Sequence, residues 1–214
     1  MILALLALSS VKARNGMEVQ PKRVAMAYCV PIFIFAGSFV FHATLTYFGQ
    51  LLDELPMIYG SLFFLYMLSD RQHEKIAQRV MILLGAMITY TMVHFRESPL
   101  PLQISYGCLS TVLFLRSVVI AQRIGHATSS KFLLSGTACY LIAFMFWLLD
   151  QNYCEIVQGM YFHAWWHLFS GMGGYLWIQF LCAHEVLAVH KSLVISKIGF
   201  GIPFCNIPEA LKTN

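Results

Sequence analysis

Residues 24–41 read Val-Ala-Met-Ala-Tyr-Cys-Val-Pro-Ile-Phe-Ile-Phe-Ala-Gly-Ser-Phe-Val-Phe, an apolar stretch without a single acidic or basic side chain. A helix rises about 1.5 Å per residue, so roughly 20 such residues cross a hydrocarbon core about 30 Å thick. The run is too long for a barrel strand and does not alternate, which leaves a helix as the way to satisfy its backbone in lipid. Five further runs follow it: Thr46–Leu68, Val80–Phe95, Ser98–Leu115 (extendable to Gln122), Phe132–Leu149 and Tyr161–Ala183. Pro31 and Pro56 fall inside the first two and are expected to kink them, because each removes a backbone donor. Composition agrees. Of 214 residues, 58% are apolar and 11% are charged, against about 45–50% and about 25% in a soluble domain. Such a chain cannot coat a globule with polar groups. The reading is an all-α polytopic transmembrane helix bundle forming one domain over residues 1–214. A net charge of +4, dispersed along the chain, gives no basis for a nucleic-acid partner.

The ends of the runs set an expected orientation. Lys12, Arg14, Lys22 and Arg23 precede the first full span, Arg71, Lys75 and Arg79 follow the second, and Arg116, Arg123 and Lys131 follow the fourth. Lys191, Lys197 and Lys212 lie in the tail. The opposite ends hold Arg96 alone. Basic residues stay cytosolic, so the carboxyl terminus is expected in the cytosol. Met1–Leu8 is apolar but too short to span, and reads as the end of a further helix whose first half is missing.

Ionisable groups at membrane depth are costly and each needs a reason. His42 ends the first full span, Asp53 and Glu54 begin the second, and His163 and His167 begin the sixth. The charge-derived topology puts all five on the lumenal side. His163 and His167 stand four apart, one helical turn, which turns both imidazoles to one face. That spacing suits helical zinc sites, and also haem ligation or plain packing. With His42 as a third nitrogen and acidic residues on the same side, zinc is favoured. Three protein ligands leave tetrahedral zinc one open position, the catalytic pattern. Glu54 lies about 100° round the helix from Asp53 and is expected to face another helix or the interface. The cysteines show no metal-ligand spacing, and Cys154 falls in a lumenal loop.

Three blocks in order carry a family resemblance: Gly37-Ser38-Phe39-Val40-Phe41-His42, Gln50-Leu51-Leu52-Asp53-Glu54-Leu55-Pro56-Met57-Ile58-Tyr59 and Phe162-His163-Ala164-Trp165-Trp166-His167. They resemble the alkaline ceramidases, most closely the type-three or phytoceramidase branch, and the likeness extends from Met1 to about Glu209. The resemblance implies a seven-helix intramembrane amidase with a catalytic Zn2+, here with six full spans and the truncated end of the first. It implies that His42, His163 and His167 bind the metal and that Ser38 and Asp53 are catalytic. It also implies a ceramide lipid as substrate and an endoplasmic reticulum or Golgi membrane as location. The family's acidic calcium-binding (Ca2+) segment precedes its first helix, and no residue here matches it. A cysteine in that segment is implied as the disulfide partner of Cys154. The alternative is a seven-helix zinc-containing receptor of the progestin and adipoQ receptor type, a group that carries a similar three-His site.

Overall fold

The computed structural model describes residues 21–153, 155–156, 158–190, 194–198 and 202–206. The readings of Met1–Leu8, of the calcium segment and of Cys154 lie outside the described residues. Six helices account for the six apolar runs: α1 (Pro21–Thr44), α2 (Tyr47–Met67), α3 (Glu74–His94), α4 (Leu100–Ile124), α5 (Ala127–Tyr153) and α6 (Phe162–His190). A 3-10 turn, Arg71–His73, leads into α3. The helices outrun the apolar cores at several ends. The polar turn Glu74–Arg79 continues α3, because backbone groups are satisfied within a helix as well at headgroup depth as in lipid. Helix α1 runs 24 residues, about 36 Å, and Pro31 and Pro56 both sit inside continuous helices.

Among the described residues, four helices, spanning Arg23–Thr44, Arg71–His94, Leu100–Ile124 and Ala127–Tyr153, are long and apolar enough to cross a membrane. Helices α2 and α6 carry the polar load instead: Gln50, Asp53 and Glu54 on one, His163, His167, Gln179, His184 and Glu185 on the other. Large apolar side chains point outward along the helices, among them Phe33, Phe39, Ile82, Leu83, Leu134 and Leu141. Contiguous exposure on this scale fits a lipid environment, not water.

The chain divides into two compact units. In the first, Pro21–Arg123, α1 packs along α2 through glycines. A Cβ on Gly37 would collide with the Leu52 carbonyl and stand 2.9 Å from the Asp53 amide nitrogen, and one on Gly60 would collide with Val30. Small residues let helix backbones approach where lipid offers no hydrophobic drive for association. Ile58, Leu62 and Met92 form a core against which Leu102, Tyr106 and Leu109 of α4 pack. The link from α1 to α2 is abrupt. Leu45 takes φ 51°, a left-handed conformation uncommon outside glycine, and Thr46 caps α2 by accepting from the Gly49 amide at 3.1 Å.

At the opposite end of α1, Arg23 is buried. It pairs with Glu74, donates to the Tyr66 hydroxyl at 2.6 Å and lies 4.4 Å from the Tyr66 ring centre. The Tyr66 hydroxyl donates in turn to Glu74 at 2.6 Å. One of the basic residues that the sequence assigns to the cytosolic rim is thus a clasp joining α1, α2 and α3.

In the second unit, from residue 124 onward, α5 and α6 pack through Gly136 and Gly173, each within about 3 Å of the other's carbonyl once a Cβ is added (3.1 and 3.0 Å). Beyond α6 an antiparallel hairpin is added to the helical fold: β1 (Val194–Ile198) pairs with β2 (Ile202–Asn206), Val194 opposite Asn206 and Ile198 opposite Ile202. Buried Gln179 of α6 accepts from the Cys205 amide at 2.8 Å, and Tyr175 donates to the Pro203 carbonyl at 3.0 Å. Burial pushes the Cys205 thiol well above its ordinary pKa, and the neighbouring Cys182 adds to the rise.

Candidate active site

Asp53 lies in the second turn of α2, half-buried, and Ser38 lies on α1, buried. The Gly37 contact places the peptide joining Leu52 to Asp53 against α1. Ser38 follows Gly37 and Asp53 follows Leu52, so both side chains leave backbones that touch at that point. His42 comes one helical turn after Ser38, exposed near the end of α1, with its ring centre 5.2 Å from that of Phe41. Glu54 takes another direction from Asp53. It accepts from Gln50 at 2.8 Å and faces a small recess with Tyr47, Met92, Arg96 and Ser98, as its place on the helix predicts. His94, also near that end of α3, stacks on Tyr90 at 5.7 Å.

In the second unit, α6 starts at Phe162, directly after Tyr161 in a left-handed conformation of φ 52°. His163 and His167 therefore lie in its first turns, on one face, with ring centres 4.8 Å apart and planes at 79°. The Nδ1 of His163 approaches Asp150 Oδ2, near the end of α5, at 3.4 Å. Around the pair, Phe146 of α5 contacts Phe162, Trp165 and Phe169 at 5.2, 6.2 and 5.7 Å, and Tyr140 meets Trp166 edge-on at 6.3 Å. Trp165 and Trp166 thus seat the histidine-bearing turn on α5. Asp150 has no conspicuous setting in the sequence. It ends an apolar run, as an interfacial acid does, and only the α5–α6 packing reveals its neighbour.

His163 and His167 offer two imidazole donors from one face of α6, and His42 is an exposed imidazole near the end of α1. Nitrogen donors of this kind fit a first-row transition metal better than calcium or magnesium, which take oxygen ligands.

The class is that of a polytopic helical membrane hydrolase, and it rests on likeness to known proteins. The family profile described as Ceramidase matches residues 1–210, and the chain belongs to that family. It is 29% identical to "Putative alkaline ceramidase dcd3A" of Dictyostelium discoideum over 90% of this chain and 75% of that one. To "Alkaline ceramidase 3" of Mus musculus it is 31% identical over 74% of this chain and 65% of the mouse protein. "Alkaline ceramidase YPC1" of Saccharomyces cerevisiae matches at 28% identity, over 73% of this chain and 60% of the yeast one. These likenesses do not favour the receptor reading.

Proposed function

We propose that the chain is a zinc-dependent intramembrane amidase acting on ceramides (ceramide, phytoceramide and dihydroceramide), which it splits into a sphingoid base and a free fatty acid. The observation that carries this reading is the pair His163 and His167 on one face of α6 in a member of the ceramidase family, with His42 taken as the third ligand from the sequence. The three histidines would hold zinc as neutral imidazoles and leave one position for water or substrate. A bound zinc supplies Lewis-acid polarisation of a carbonyl and a more acidic water.

The chain's own groups then move the proton and steady the charge. Asp53 accepts the proton that the attacking water gives up as its oxygen bonds to the amide carbon. It returns that proton to the nitrogen as the carbon–nitrogen bond breaks, so the amine leaves neutral. The water oxygen ends in the fatty-acid carboxyl group. Ser38 donates its hydroxyl to the carbonyl oxygen as negative charge develops there, a contact worth about 3 kcal/mol in comparable sites. The substrate's tails would stay in contact with apolar helix faces, so no lipid chain need enter water. We infer the same topology as the charge pattern predicts, with a cytosolic carboxyl terminus, in the endoplasmic reticulum or Golgi.

Purified protein given labelled ceramide tests the reading. Turnover is expected, with loss on zinc chelation and recovery on zinc addition. Asp53→Asn is expected to lower kcat by about 10²–10⁴-fold with little change in bound zinc. Wild-type turnover by Asp53→Asn would exclude the proton-carrying role, and turnover indifferent to chelation would exclude the metal.

A further inference from the structure

We propose that Asp150 is a positioning residue for the metal site: it holds the Nδ1–H of His163 and so dedicates Nε2 to the ion. The inference rests on the reading of His163 as a metal ligand. Three observations bear on it. Asp150 Oδ2 lies 3.4 Å from Nδ1 of His163, not from Nε2. The two side chains come from different helices, α5 and α6, within one compact unit, so the approach is set by the packing through Gly136 and Gly173 and not by sequence neighbourhood. Both side chains are partly shielded, at 38% exposure for His163 and 24% for Asp150, so the interaction is less screened than a surface pair.

An imidazole has two nitrogens and binds one ion through one of them. Which nitrogen binds is decided by the partner of the other. A carboxylate at Nδ1 fixes the tautomer with its proton there and keeps the Nε2 lone pair outward. It also resists rotation about the Cβ–Cγ bond, which would exchange each ring nitrogen with a ring carbon and turn the Nε2 lone pair away. The Phe146, Phe162 and Trp165 rings pack where this turn of α6 meets α5. Position 150 thus offers His163 an acceptor from a helix other than the one that bears it.

Metal binding by the purified chain tests the inference, with Co2+ as probe and a chelator of known affinity as competitor. Carboxylates of this kind change metal affinity by about 10–100-fold. Asp150→Ala is therefore expected to raise the Kd for Co2+ within that range while the stoichiometry stays at one ion per chain. Asp150→Asn retains an oxygen acceptor of the same shape and is expected to fall between Asp150→Ala and wild type. The metal-free melting temperature of Asp150→Asn should match wild type, which separates positioning from folding. The visible Co2+ spectrum should keep its band pattern in both variants. Wild-type affinity in Asp150→Ala would overturn the proposal, and so would a changed band pattern in Asp150→Asn, the mark of a lost direct ligand. Failure of the wild-type chain to bind Co2+ or Zn2+ at all would instead overturn the metal reading on which it rests.

Discussion

Position 37 admits only glycine because of what faces it. A Cβ there meets the Leu52 carbonyl and the Asp53 amide, and backbone cannot swing aside as a side-chain tip can. Gly37→Ala must push α1 from α2 at the level of Ser38 and Asp53. Overpacking of this kind costs about 1–3 kcal/mol, and a misplacement of about 1 Å at reacting groups can cost about 10²-fold in rate. Gly107 supplies the comparison, since a Cβ there meets nothing within 4 Å. Gly107→Ala should be neutral or stabilising by up to about 1 kcal/mol, from the helix preference for alanine. Thermal melts and ceramide turnover of the two variants check the contrast. If Gly37→Ala behaves like Gly107→Ala in both, the close approach is dispensable. Nothing in the apolar run around Gly37 marks it, because a glycine at a helix crossing and one facing lipid have the same local sequence character. The histidines were legible for the opposite reason: they are costly where they stand, and their four-residue spacing is a property of one helix alone.

At the scale of elements, the six helices could be read directly from their apolar runs. The hairpin could not. Val194–Ile198 and Ile202–Asn206 are short, and Lys197 gives the segment the look of a charged tail. The register is held from a distance, by Gln179 at the Cys205 amide and Tyr175 at the Pro203 carbonyl. Gln179 is fully buried, so its loss leaves the Cys205 N–H without its acceptor. Gln179→Leu is expected to destabilise the protein by about 1–3 kcal/mol, read as a lower melting temperature with faster amide exchange at Cys205. It should leave metal affinity unchanged, because Gln179 lies about 18 Å along α6 from His167. Unchanged exchange at Cys205 would mean that the strand pairing alone holds the hairpin. A metal affinity that fell with the hairpin would mean that the two ends of α6 are coupled.

At the scale of the molecule, the scarce charge divides into two sets with different tasks. Thirteen of the fourteen Lys and Arg residues sit at alternate ends of the apolar runs, and Arg96 is the exception. The clasp of Arg23 with Glu74 and Tyr66 shows that one of these cations also knits three helices together, so position in the chain and packing ask for charge at the same end. If each helix crosses the bilayer in turn, the segment joining α3 to α4 is lumenal, whereas the segment joining α2 to α3, with Arg71, is cytosolic. Glycosylation tags test this without disturbing either end of the chain. A tag set between Phe95 and Ser98 should be modified in microsomes, and one set beside Arg71 should not. The reverse result would put the Asp53 end of α2 in the cytosol. It would also mean that the positive charges had failed to orient the chain, leaving the choice to interactions among the helices. Modification at both positions would show that α3 does not cross, although its composition and length allow it to. The polar groups of α2 and α6 would then need a different account, since their cost, and so the case that they serve chemistry, depends on lying at membrane depth.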